Sequence, residues 1–447
     1  MDKPGEDQLY IETLNYLAGL TKFGMNLGLA RIRALLEYLN NPERQLRIIH
    51  VGGTNGKGST SIMIAQILWE AGYKTGIFTS PHLHDYRERF VINGKMISKS
   101  EVIRQIKQLR PHLEELVAGG REHPTEFEVQ TALAMNYFAQ EKVDFAIIEV
   151  GLGGEIDSTN VGFPLVSVIT NVGMDHLNYL GEDLTAIAEV KAGIIKPNSV
   201  VVTAADRPQV MDIIAEKAAG FGVKLVRVGE DVFWKKQRSG EFELKFDLVV
   251  LNTFYPGLRL NLMGEHQLRN AATAVAVCEV LKTDYAVAIP GKAVYEALAK
   301  VKWPGRLELL SSSPKVLLDG AHNVDGAEVL LQALKEYSRD RLILCIGMLD
   351  DKEREKIADL LIPIADEVFI TKPQSLRAGD WIGLADIAGK YSKPVTCIDN
   401  PREAVKEAFR RLKSTDLLCV TGSLYLLADA REELLKILKI PSSFLFG

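Results

Sequence analysis

The stretch LRIIHVGGTNGKGSTSIMIAQILWEAG (46–72) decides the fold class. Its first part, LRIIHV (46–51), is a short continuous apolar run, which is typical of a strand buried on both faces of a parallel sheet. A glycine-rich turn follows, and the apolar residues after the turn recur at helical spacing. The sequence therefore predicts a strand, a tight turn and a helix in direct succession.

Strand-like runs alternate with helical segments along nearly the whole chain, which predicts α/β architecture with a mostly parallel sheet. The runs that follow the first strand are KTGIFTS (74–80), DFAIIEV (144–150), LVSVITNV (165–172) and VVTA (201–204). Between about 225 and 262, apolar and polar residues alternate around Ser239-Gly240, which predicts appended β-hairpins.

A linker at KVKWPGR (300–306) predicts two domains, because Pro304 and Gly305 end the preceding helix. The runs KVLLD, RLILCIG, EVFIT, VTCI and LLCVTG beyond it predict the strands of one small Rossmann-like domain. We expect domains over residues 1–299 and 300–447.

The composition is that of a globular protein and argues against several function classes. Of the 447 residues 47% are hydrophobic and 25% charged, so the chain is not disordered or fibrous. Lys+Arg 53 against Asp+Glu 58 gives a net charge of −5, which argues against a basic field over the whole surface for nucleic acid or membrane and leaves a local basic groove open. The N-terminal segment lacks the apolar core of a signal peptide, and the four cysteines are scattered singly. We expect a cytoplasmic monomer with free thiols and no nucleic-acid or membrane partner.

The turn GGTNGKGST (52–60) is suited to binding phosphate. Glycines let backbone N–H groups face an anion, and the helix N-terminus adds partial positive charge. Lys57 can reach the β- and γ-phosphates, and the hydroxyl of Ser59 or Thr60 can contact phosphate or a metal ion. The common pattern G-x-x-x-x-G-K-[ST] is altered, because Val51 replaces its first glycine and a glycine follows the lysine. The turn predicts ATP or GTP binding, and a plain glycine turn with a surface lysine is the alternative.

This altered loop, GTNGKGST (53–60), resembles the Mur ligase superfamily, and within it the folylpolyglutamate synthase/dihydrofolate synthase family. Further segments agree with that family in order along the chain: FTSPHL (78–83), PTEFE (124–128), EVGLGGEIDSTN (149–160), NVGMDH (171–176), VKAGIIKP (190–197), EHQLRN (265–270), WPGRLE (303–308), DGAHN (319–323) and TGSLYL (421–426). The resemblance implies a P-loop-containing Mur-ligase-like domain, which binds ATP, and a Rossmann-like C-terminal domain that contributes to the glutamate and ATP site.

The activity that the resemblance implies is ATP-dependent amide-bond formation. ATP phosphorylates the carboxylate of a folate and/or dihydropteroate, and the amine of L-glutamate then displaces phosphate from the acyl phosphate. The residues implied for ATP are Thr54, Asn55, Gly56, Lys57, Gly58, Ser59, Thr60, Asn270, Arg306 and Asp319. The residues implied for glutamate are His322 and Ser423, and those implied for catalysis are Lys57, Lys191 and His322.

Two Mg²⁺ ions are also implied, held by Ser80, Glu149, His176 and Lys191. Glu149 closes an apolar strand and would point into the crevice where open α/β sheets bind ligands. Taken singly, Ser80 would belong to an ordinary turn, His176 to a hydrogen-bonded loop with Asp175 as a rival ligand, and Lys191 to a solvated helix face. In the family this lysine is carbamylated by CO₂, and the carbamate, unlike an ammonium, offers oxygen to Mg²⁺.

The folate pocket could be lined by Phe78, Pro81, Phe127 and the loop 151–160, in which Asp157 lies. A pterin is flat and apolar-faced, so aromatic side chains suit it, but core packing is an equal alternative for each.

Two other functions remain as alternatives. A Mur-type ligase of UDP-sugar peptides usually has threonine after the loop lysine, where Gly58 stands here. A non-catalytic nucleotide-binding regulator would have little need for Glu149, His176 and Lys191 together. An assay for glutamate-dependent release of phosphate from ATP separates the three.

Overall fold

A computed structural model of the chain describes residues 5–23, 28–175, 177–181, 183–238 and 240–441. The chain divides into two compact units. Unit 1 comprises Met1–Lys235, Phe246–Leu258 and Arg269–Lys300, and unit 2 comprises Lys236–Lys245, Arg259–Leu268 and Val301–Gly447. The predicted domain boundary at residues 300–306 stays a prediction. Two short segments that precede it in the sequence, Lys236–Lys245 and Arg259–Leu268, belong to unit 2.

Up to the predicted hairpins, helices and strands alternate as the sequence pattern predicts. The helices are α1 (Glu6–Gly19), α2 (Ala30–Tyr38), α3 (Lys57–Glu70), α4 (Lys99–Ala118), α5 (Glu126–Gln140), α6 (Leu177–Leu180), α7 (Leu184–Ala192) and α8 (Pro208–Phe221). The strands are β1 (Ile48–Gly52), β2 (Thr75–Phe78), β3 (Phe90–Ile92), β4 (Lys95–Met96), β5 (Phe145–Glu149), β6 (Pro164–Ile169), β7 (Val200–Thr203) and β8 (Lys224–Arg227).

These strands form a sheet of order β4-β3-β2-β5-β1-β6-β7-β8 in the described part of unit 1. Strand β1 pairs in parallel with β5 on one side and β6 on the other, so that Val51 lies beside Glu149 and Gly52 beside Ile169. The carboxyl ends of these three central strands therefore meet at one edge of the sheet. In open parallel sheets that edge is where ligands bind.

The strands and helices that border this edge are held in place by burial in the core of unit 1 and by a helix cap. Strands β1 and β5 are buried along their whole length, as their continuous apolar runs predict. Helix α3 is buried over most of its surface, and α5 begins with a capping box between Thr125 and Glu128. In the described part of this sheet only the pairs β2–β3 and β3–β4 are antiparallel, and the sequence pattern did not predict β3, β4 or β8.

The predicted hairpin region forms a separate sheet of β9 (Val232–Lys236), β10 (Leu244–Val250) and β11 (Thr253–Leu260), in the order β11-β10-β9. The division between the two units falls inside this region of the sequence. Helices α9 (His266–Tyr285) and α10 (Gly291–Lys300) follow it.

Unit 2 contains a second sheet, whose order is β12-β13-β17-β14-β15-β16 in the described residues. Its strands are β12 (Glu308–Ser312), β13 (Lys315–Asp319), β14 (Leu342–Ile346), β15 (Glu367–Thr371), β16 (Val395–Ile398) and β17 (Leu417–Thr421). Its helices are α11 (Val324–Glu336), α12 (Arg354–Leu361), α13 (Gly383–Gly389), α14 (Pro401–Arg410) and α15 (Leu424–Leu438). All strand pairs are parallel except β12 with β13, which gives the predicted Rossmann-like arrangement with one antiparallel edge.

The state of the cysteines and the hydrophobicity of the helices can be read directly from the structure. Cys278, Cys345 and Cys419 are buried and Cys397 is exposed, and all four are free thiols. Among the residues with described placement, no helix is long and apolar enough to cross a membrane.

Candidate active site

The loop between β1 and α3 has a backbone that suits only glycine at two positions. Gly53 has a φ of +139°, and a β-carbon there would lie 2.0 Å from Thr170 Oγ1. Gly56 has a φ of +81°, and a β-carbon there would lie 2.5 Å from Asn270 Oδ1. A larger residue would meet both backbone strain and a clash at either position. The predicted nucleotide residue Asn270 therefore lies against the loop.

The first turn of α3 carries the predicted phosphate residues Lys57, Gly58, Ser59 and Thr60. The first N–H groups of a helix have no acceptor within the helix, and the helix dipole adds partial positive charge. Ser59 and Thr60 are buried, and Thr60 Oγ1 has no hydrogen-bond partner within the described part of the chain. This helix end is chemically suited to an anion.

Two polar residues that follow β6 hold the loop in place, and the sequence pattern did not predict their role. Asn171 Oδ1 accepts hydrogen bonds from the backbone N–H of Thr54 at 3.2 Å and of Asn55 at 2.7 Å. Thr170 Oγ1 donates to Asn55 O at 2.7 Å, and Thr54 Oγ1 donates to Gly173 O at 3.1 Å. The available signal was a Thr-Asn pair placed directly after an apolar strand.

Both predicted catalytic lysines of unit 1 contact the same carbonyl oxygen. Lys57 Nζ donates to Gly53 O at 3.1 Å and to Thr54 O at 3.0 Å. Lys191 Nζ, near the end of α7, donates to Gly53 O at 3.0 Å. The structure thus brings the phosphate lysine and the predicted carbamate lysine together at the loop.

Lys191 is buried rather than solvated, so the solvated-face alternative for this residue was wrong: its side chain lies inside unit 1. Burial and, after it, the charge of Lys57 lower the pKa of Lys191 to about 7, while the charges of Asp175 and Asp157 act in the opposite direction. A large fraction of this amine is therefore neutral near pH 7.

Ser80 and Glu149 also lie together. Glu149 ends β5 and is buried, and its Oε2 accepts a hydrogen bond from the backbone N–H of Ser80 at 3.2 Å. Ser80 follows β2, the neighbour of β5 in the sheet. Two of the four predicted metal ligands are thus adjacent at the carboxyl edge of the sheet.

The remaining metal candidates include His176 and its rival Asp175. His176 lies outside the described residues, and its role as a ligand stays a prediction. Its rival Asp175 is half-buried and near enough to Lys191 to affect that group's pKa. Across the described ranges, no group of three or more His, Cys, Asp and Glu side chains is arranged to hold a metal ion.

Asp157 organises the loop 151–160 from inside. Its Oδ2 accepts the backbone N–H of Leu152 at 2.7 Å, and its Oδ1 accepts the backbone N–H of Thr159 at 2.9 Å. Burial raises the pKa of this carboxyl, and the hydrogen bonds to it act in the opposite direction. The geometry shows a carboxylate that holds its own loop, and its contact with folate stays a prediction.

The predicted aromatic residues of the folate pocket differ in exposure. Phe78 is fully buried in the core and stacks on Phe90 and Phe127, with ring centroids 5.5 and 5.9 Å apart. Phe127 is half-buried and lies against Gly151, where a β-carbon would come within 2.3 Å of its ring. Pro81 is exposed. The structure therefore brings Phe127 and the loop 151–160 together, and places Phe78 in the core.

The predicted residues of unit 2 cluster around the end of β13. Asp319 closes the strand, and its carboxylate accepts the backbone N–H of Leu307 and of Ala321, each at 2.9 Å. Burial raises the pKa of Asp319, and the charge of Arg306 acts against that rise. His322 Nδ1 lies 2.8 Å from Gly320 O.

Two further residues of unit 2 fix the turn that carries Arg306, and they were not singled out from the sequence. Glu308 Oε2 accepts the backbone N–H of Gly305 at 2.9 Å. Arg431, on α15, donates to both oxygens of Glu308, at 2.8 to 3.0 Å. Ser423, the remaining glutamate candidate, is buried at the start of α15, where its Oγ accepts the N–H of Tyr425 at 3.1 Å.

Comparison with known protein families defines the class of protein to which this loop and sheet belong. Residues 51–278 match the Mur ligase middle domain, and residues 305–424 match the family described as Mur ligase, glutamate ligase domain. The chain is thus an ATP-dependent ligase of the Mur type.

Individual relatives narrow this class. The dihydrofolate synthase/folylpolyglutamate synthase of Bacillus subtilis is 36% identical over 95% of this chain and 99% of its own. The Mycobacterium tuberculosis folylpolyglutamate synthase, solved with ADP and AMPPCP, is 32% identical with a TM-score of 0.87, over 96% of this chain and 98% of that one. The Escherichia coli protein FolC, solved with DHPP and ADP, is 28% identical with a TM-score of 0.87, over 98% and 100%. The chain belongs to the folylpolyglutamate synthase/dihydrofolate synthase family.

Proposed function

We propose that this protein joins L-glutamate to the carboxylate of a folate, of dihydropteroate or of both, with ATP as co-substrate. The observation that carries the proposal is the arrangement at the carboxyl edge of the unit 1 sheet. That edge carries the glycine loop, the two lysines that donate to the carbonyl oxygen of Gly53, and the contact between Ser80 and Glu149. The chain that carries them belongs to this family. The relatives solved with ADP, AMPPCP and DHPP support a nucleotide and a pterin-type acid as ligands.

The reaction would proceed in two balanced steps. A carboxylate oxygen of the acid attacks the γ-phosphorus of ATP, and ADP leaves, which gives an acyl phosphate. The amine of glutamate then attacks the acyl carbon, phosphate leaves, and the nitrogen loses its proton as the amide forms. Lys57, which extends from the start of α3 toward the loop, would follow the charge of the transferred phosphoryl group.

The residues present fit one Mg²⁺ ion in their chemistry. Mg²⁺ takes hard oxygen ligands and retains several waters, and Glu149 with the hydroxyl of Ser80 offers such oxygens beside the phosphate loop. When bound, the ion would neutralise the charge on the phosphates. Gly56 and the first turn of α3 would hold those phosphates through backbone N–H groups, since the N–H of Asn55 is already donated to Asn171.

A second Mg²⁺ ion fits only if Lys191 is carbamylated, because an ammonium group repels the metal. Two observations support this modification: the side chain is buried, and its pKa of about 7 leaves much of the amine neutral. Carbamylation requires the neutral amine. His176 is proposed as a partner ligand on the family resemblance alone.

The acid substrate is proposed to bind beside Phe127, Pro81 and Asp157. Phe127 offers a half-buried aromatic face, and the loop of Asp157 lies against it. In unit 2, Arg306 and Asp319 are proposed for the nucleotide and His322 and Ser423 for glutamate. The cluster around the end of β13 supports the first pair, since Arg306 is near enough to act on the pKa of Asp319.

Parallel assays of ADP release test the proposal. Purified protein is supplied with ATP, Mg²⁺ and L-glutamate, and with either dihydropteroate or tetrahydrofolate as the acid. We expect ADP release that needs both the acid and glutamate, with a product heavier by one glutamate residue. No release with either acid would refute the proposal, and release with a UDP-sugar peptide alone would favour the Mur-type alternative.

A further inference from the structure

A buried histidine on β1, His50, contacts the loop 151–160. His50 lies three residues before Gly53, and its side chain is fully enclosed in unit 1. Its Nε2 lies 2.8 Å from Thr159 Oγ1, although the two residues are 109 positions apart in the sequence. Burial removes both the imidazole and the hydroxyl from water. Each group therefore needs a hydrogen-bond partner inside the protein, and here each is the partner of the other.

Asp157 is the third residue of a hydrogen-bonded chain that runs from His50 through Thr159, and it sets the direction of both hydrogen bonds. Thr159 Oγ1 lies 2.5 Å from Asp157 Oδ1 and donates its proton to that carboxylate oxygen. A hydroxyl has one proton to donate, so Thr159 must accept from His50. His50 therefore carries its proton on Nε2. Burial and, after it, the charge of Lys196 lower the pKa of His50 to about 3, which keeps the ring neutral.

The chain of three residues ends at the group that shapes the loop. Asp157 also accepts the backbone N–H of Leu152, at the far side of the same loop. The loop in turn packs against two helices, α5 and α7. Gly151 lies against the ring of Phe127 on α5, and the backbone N–H of Glu155 donates to Val190 O near the end of α7 at 2.8 Å. Ser158 with Thr131 and Asn160 with Gly193 O form further hydrogen bonds between the loop and these helices. Fixing Asp157 thus fixes the loop relative to both neighbours.

We propose that His50 and Thr159 are positioning residues for the acid substrate, which act by holding Asp157 and its loop against Phe127 and α7. The proposal rests on the proposed function, because it assigns a role in binding and aligning the acid. The nucleotide loop has separate supports, Thr170 and Asn171, and within the described residues no hydrogen bond joins these two to His50, Thr159 or Asp157. Loss of the chain should therefore affect the acid more than the nucleotide.

Thr159→Val tests this most directly, because it keeps the shape of the side chain and removes the hydroxyl. We expect kcat/KM for tetrahydrofolate or dihydropteroate to fall at least about tenfold, while the Kd for ADP stays within about twofold. Thr159→Ser keeps the hydroxyl and should restore kcat/KM to within about threefold of the parent. Thr203→Val is the matched control, since it removes another buried hydroxyl, one that donates to Ile169 O in the same sheet. It should leave both quantities near the parent values.

His50 supplies an independent pair of variants. His50→Leu should reduce kcat/KM like Thr159→Val, and His50→Gln, which can place a donor near the Nε2 position, should recover part of the loss. The double variant His50→Leu/Thr159→Val should be no worse than the poorer single variant, because the residues act as one unit. An unchanged kcat/KM in Thr159→Val, failure of serine to rescue it, or multiplicative losses in the double variant would each overturn the proposal.

A measurement on the unaltered protein covers the case in which Thr159→Val and His50→Leu do not fold and only the conservative His50→Gln does. Long-range ¹H–¹⁵N NMR distinguishes the two neutral tautomers of histidine, and comparison with His50→Gln assigns the signal. We expect His50 with its proton on Nε2, unchanged between pH 8 and 6. A proton on Nδ1 would overturn the proposal. Failure of the proposed function shows separately, as an unaltered protein that releases no ADP with either acid.

Discussion

Replacing Lys191 with methionine should abolish ligase activity and at the same time stabilise unit 1. The amine is buried, and its pKa falls from the usual 10.5 to about 7. Folding at neutral pH must therefore either remove a proton from this amine or bury a charge. Methionine has a similar length and no charge, so it avoids that cost.

The magnitude follows from linkage between protonation and folding. Between pH 7 and 10.5 the unfolded chain holds more protons on this amine than the folded chain, so the stability of the unaltered protein rises with pH over that range. At about 1.4 kcal/mol for each pKa unit, the amine costs about 4 kcal/mol at pH 7 and about 2 kcal/mol at pH 9. The variant loses one hydrogen bond to Gly53 O, worth about 1 kcal/mol. The net gain should be about 3 kcal/mol at pH 7 and about 1 kcal/mol at pH 9.

Urea-dependent hydrogen exchange in β1 and β5 measures this free energy of unfolding for unit 1 alone. The samples are depleted of CO₂ and contain no nucleotide or Mg²⁺, so that the unmodified amine is compared. Lys191→Arg is the matched control: it keeps a buried charge that does not titrate, and should destabilise unit 1 at both pH values. A methionine variant that is less stable than the parent at pH 7, or a gain that does not shrink by pH 9, would refute the reasoning. Near-normal turnover of that variant would remove Lys191 from the site.

Three further outcomes are expected. Gly53→Ala should lose nucleotide affinity and at least about 1 kcal/mol of stability, because its β-carbon would lie 2.0 Å from Thr170 Oγ1 at a positive φ; calorimetric titration with ADP and urea unfolding check this, and unchanged affinity would contradict it. Lys57→Ala should lower turnover on the order of a hundredfold or more, since it removes the charge beside the transferred phosphoryl group; near-normal ADP release from a folded variant would exclude that role. Arg431→Met should destabilise unit 2 by about 3 kcal/mol, because Glu308 stays largely buried without its bidentate partner; hydrogen exchange in β13 measures the loss, and an unchanged value would show that the pair is not needed.

The fold was largely predictable because its central strands are continuous apolar runs. Strands β1, β5 and β6 and most strands of the unit 2 sheet lie where those runs predict them. The strands that were missed, β3, β4, β8 and β12, are short strands at or next to a sheet edge, with mixed polarity or antiparallel pairing. Such strands are defined by their neighbour in the sheet and not by their own pattern.

The site was predictable where a residue type is unusual in its local setting, and not where its partner is distant. A lysine in a glycine turn and a carboxylate closing an apolar strand are visible in the sequence. The roles of Asn171 and His50 depend on partners more than 100 positions away, at Thr54 or Asn55 and at Thr159. Phe78 shows the reverse case, since an aromatic side chain suited to a pterin is in fact packed between two other rings.

Independently of any relative, several features that break local rules lie together at one edge of the unit 1 sheet. Two loop glycines have positive φ, Lys191 and Asp157 are buried ionisable groups, and Thr60 has a buried hydroxyl without a hydrogen-bond partner in the described part of the chain. The buried ionisable groups and the unmade hydrogen bond each cost stability by themselves, and the backbone at the two glycines excludes larger residues. Features that cost stability persist together where they serve a common purpose, and this edge is where β1, β5 and β6 end. An anionic ligand would offset several of these costs at once, because it accepts from the lysine ammonium groups, the helix N–H groups and the hydroxyl.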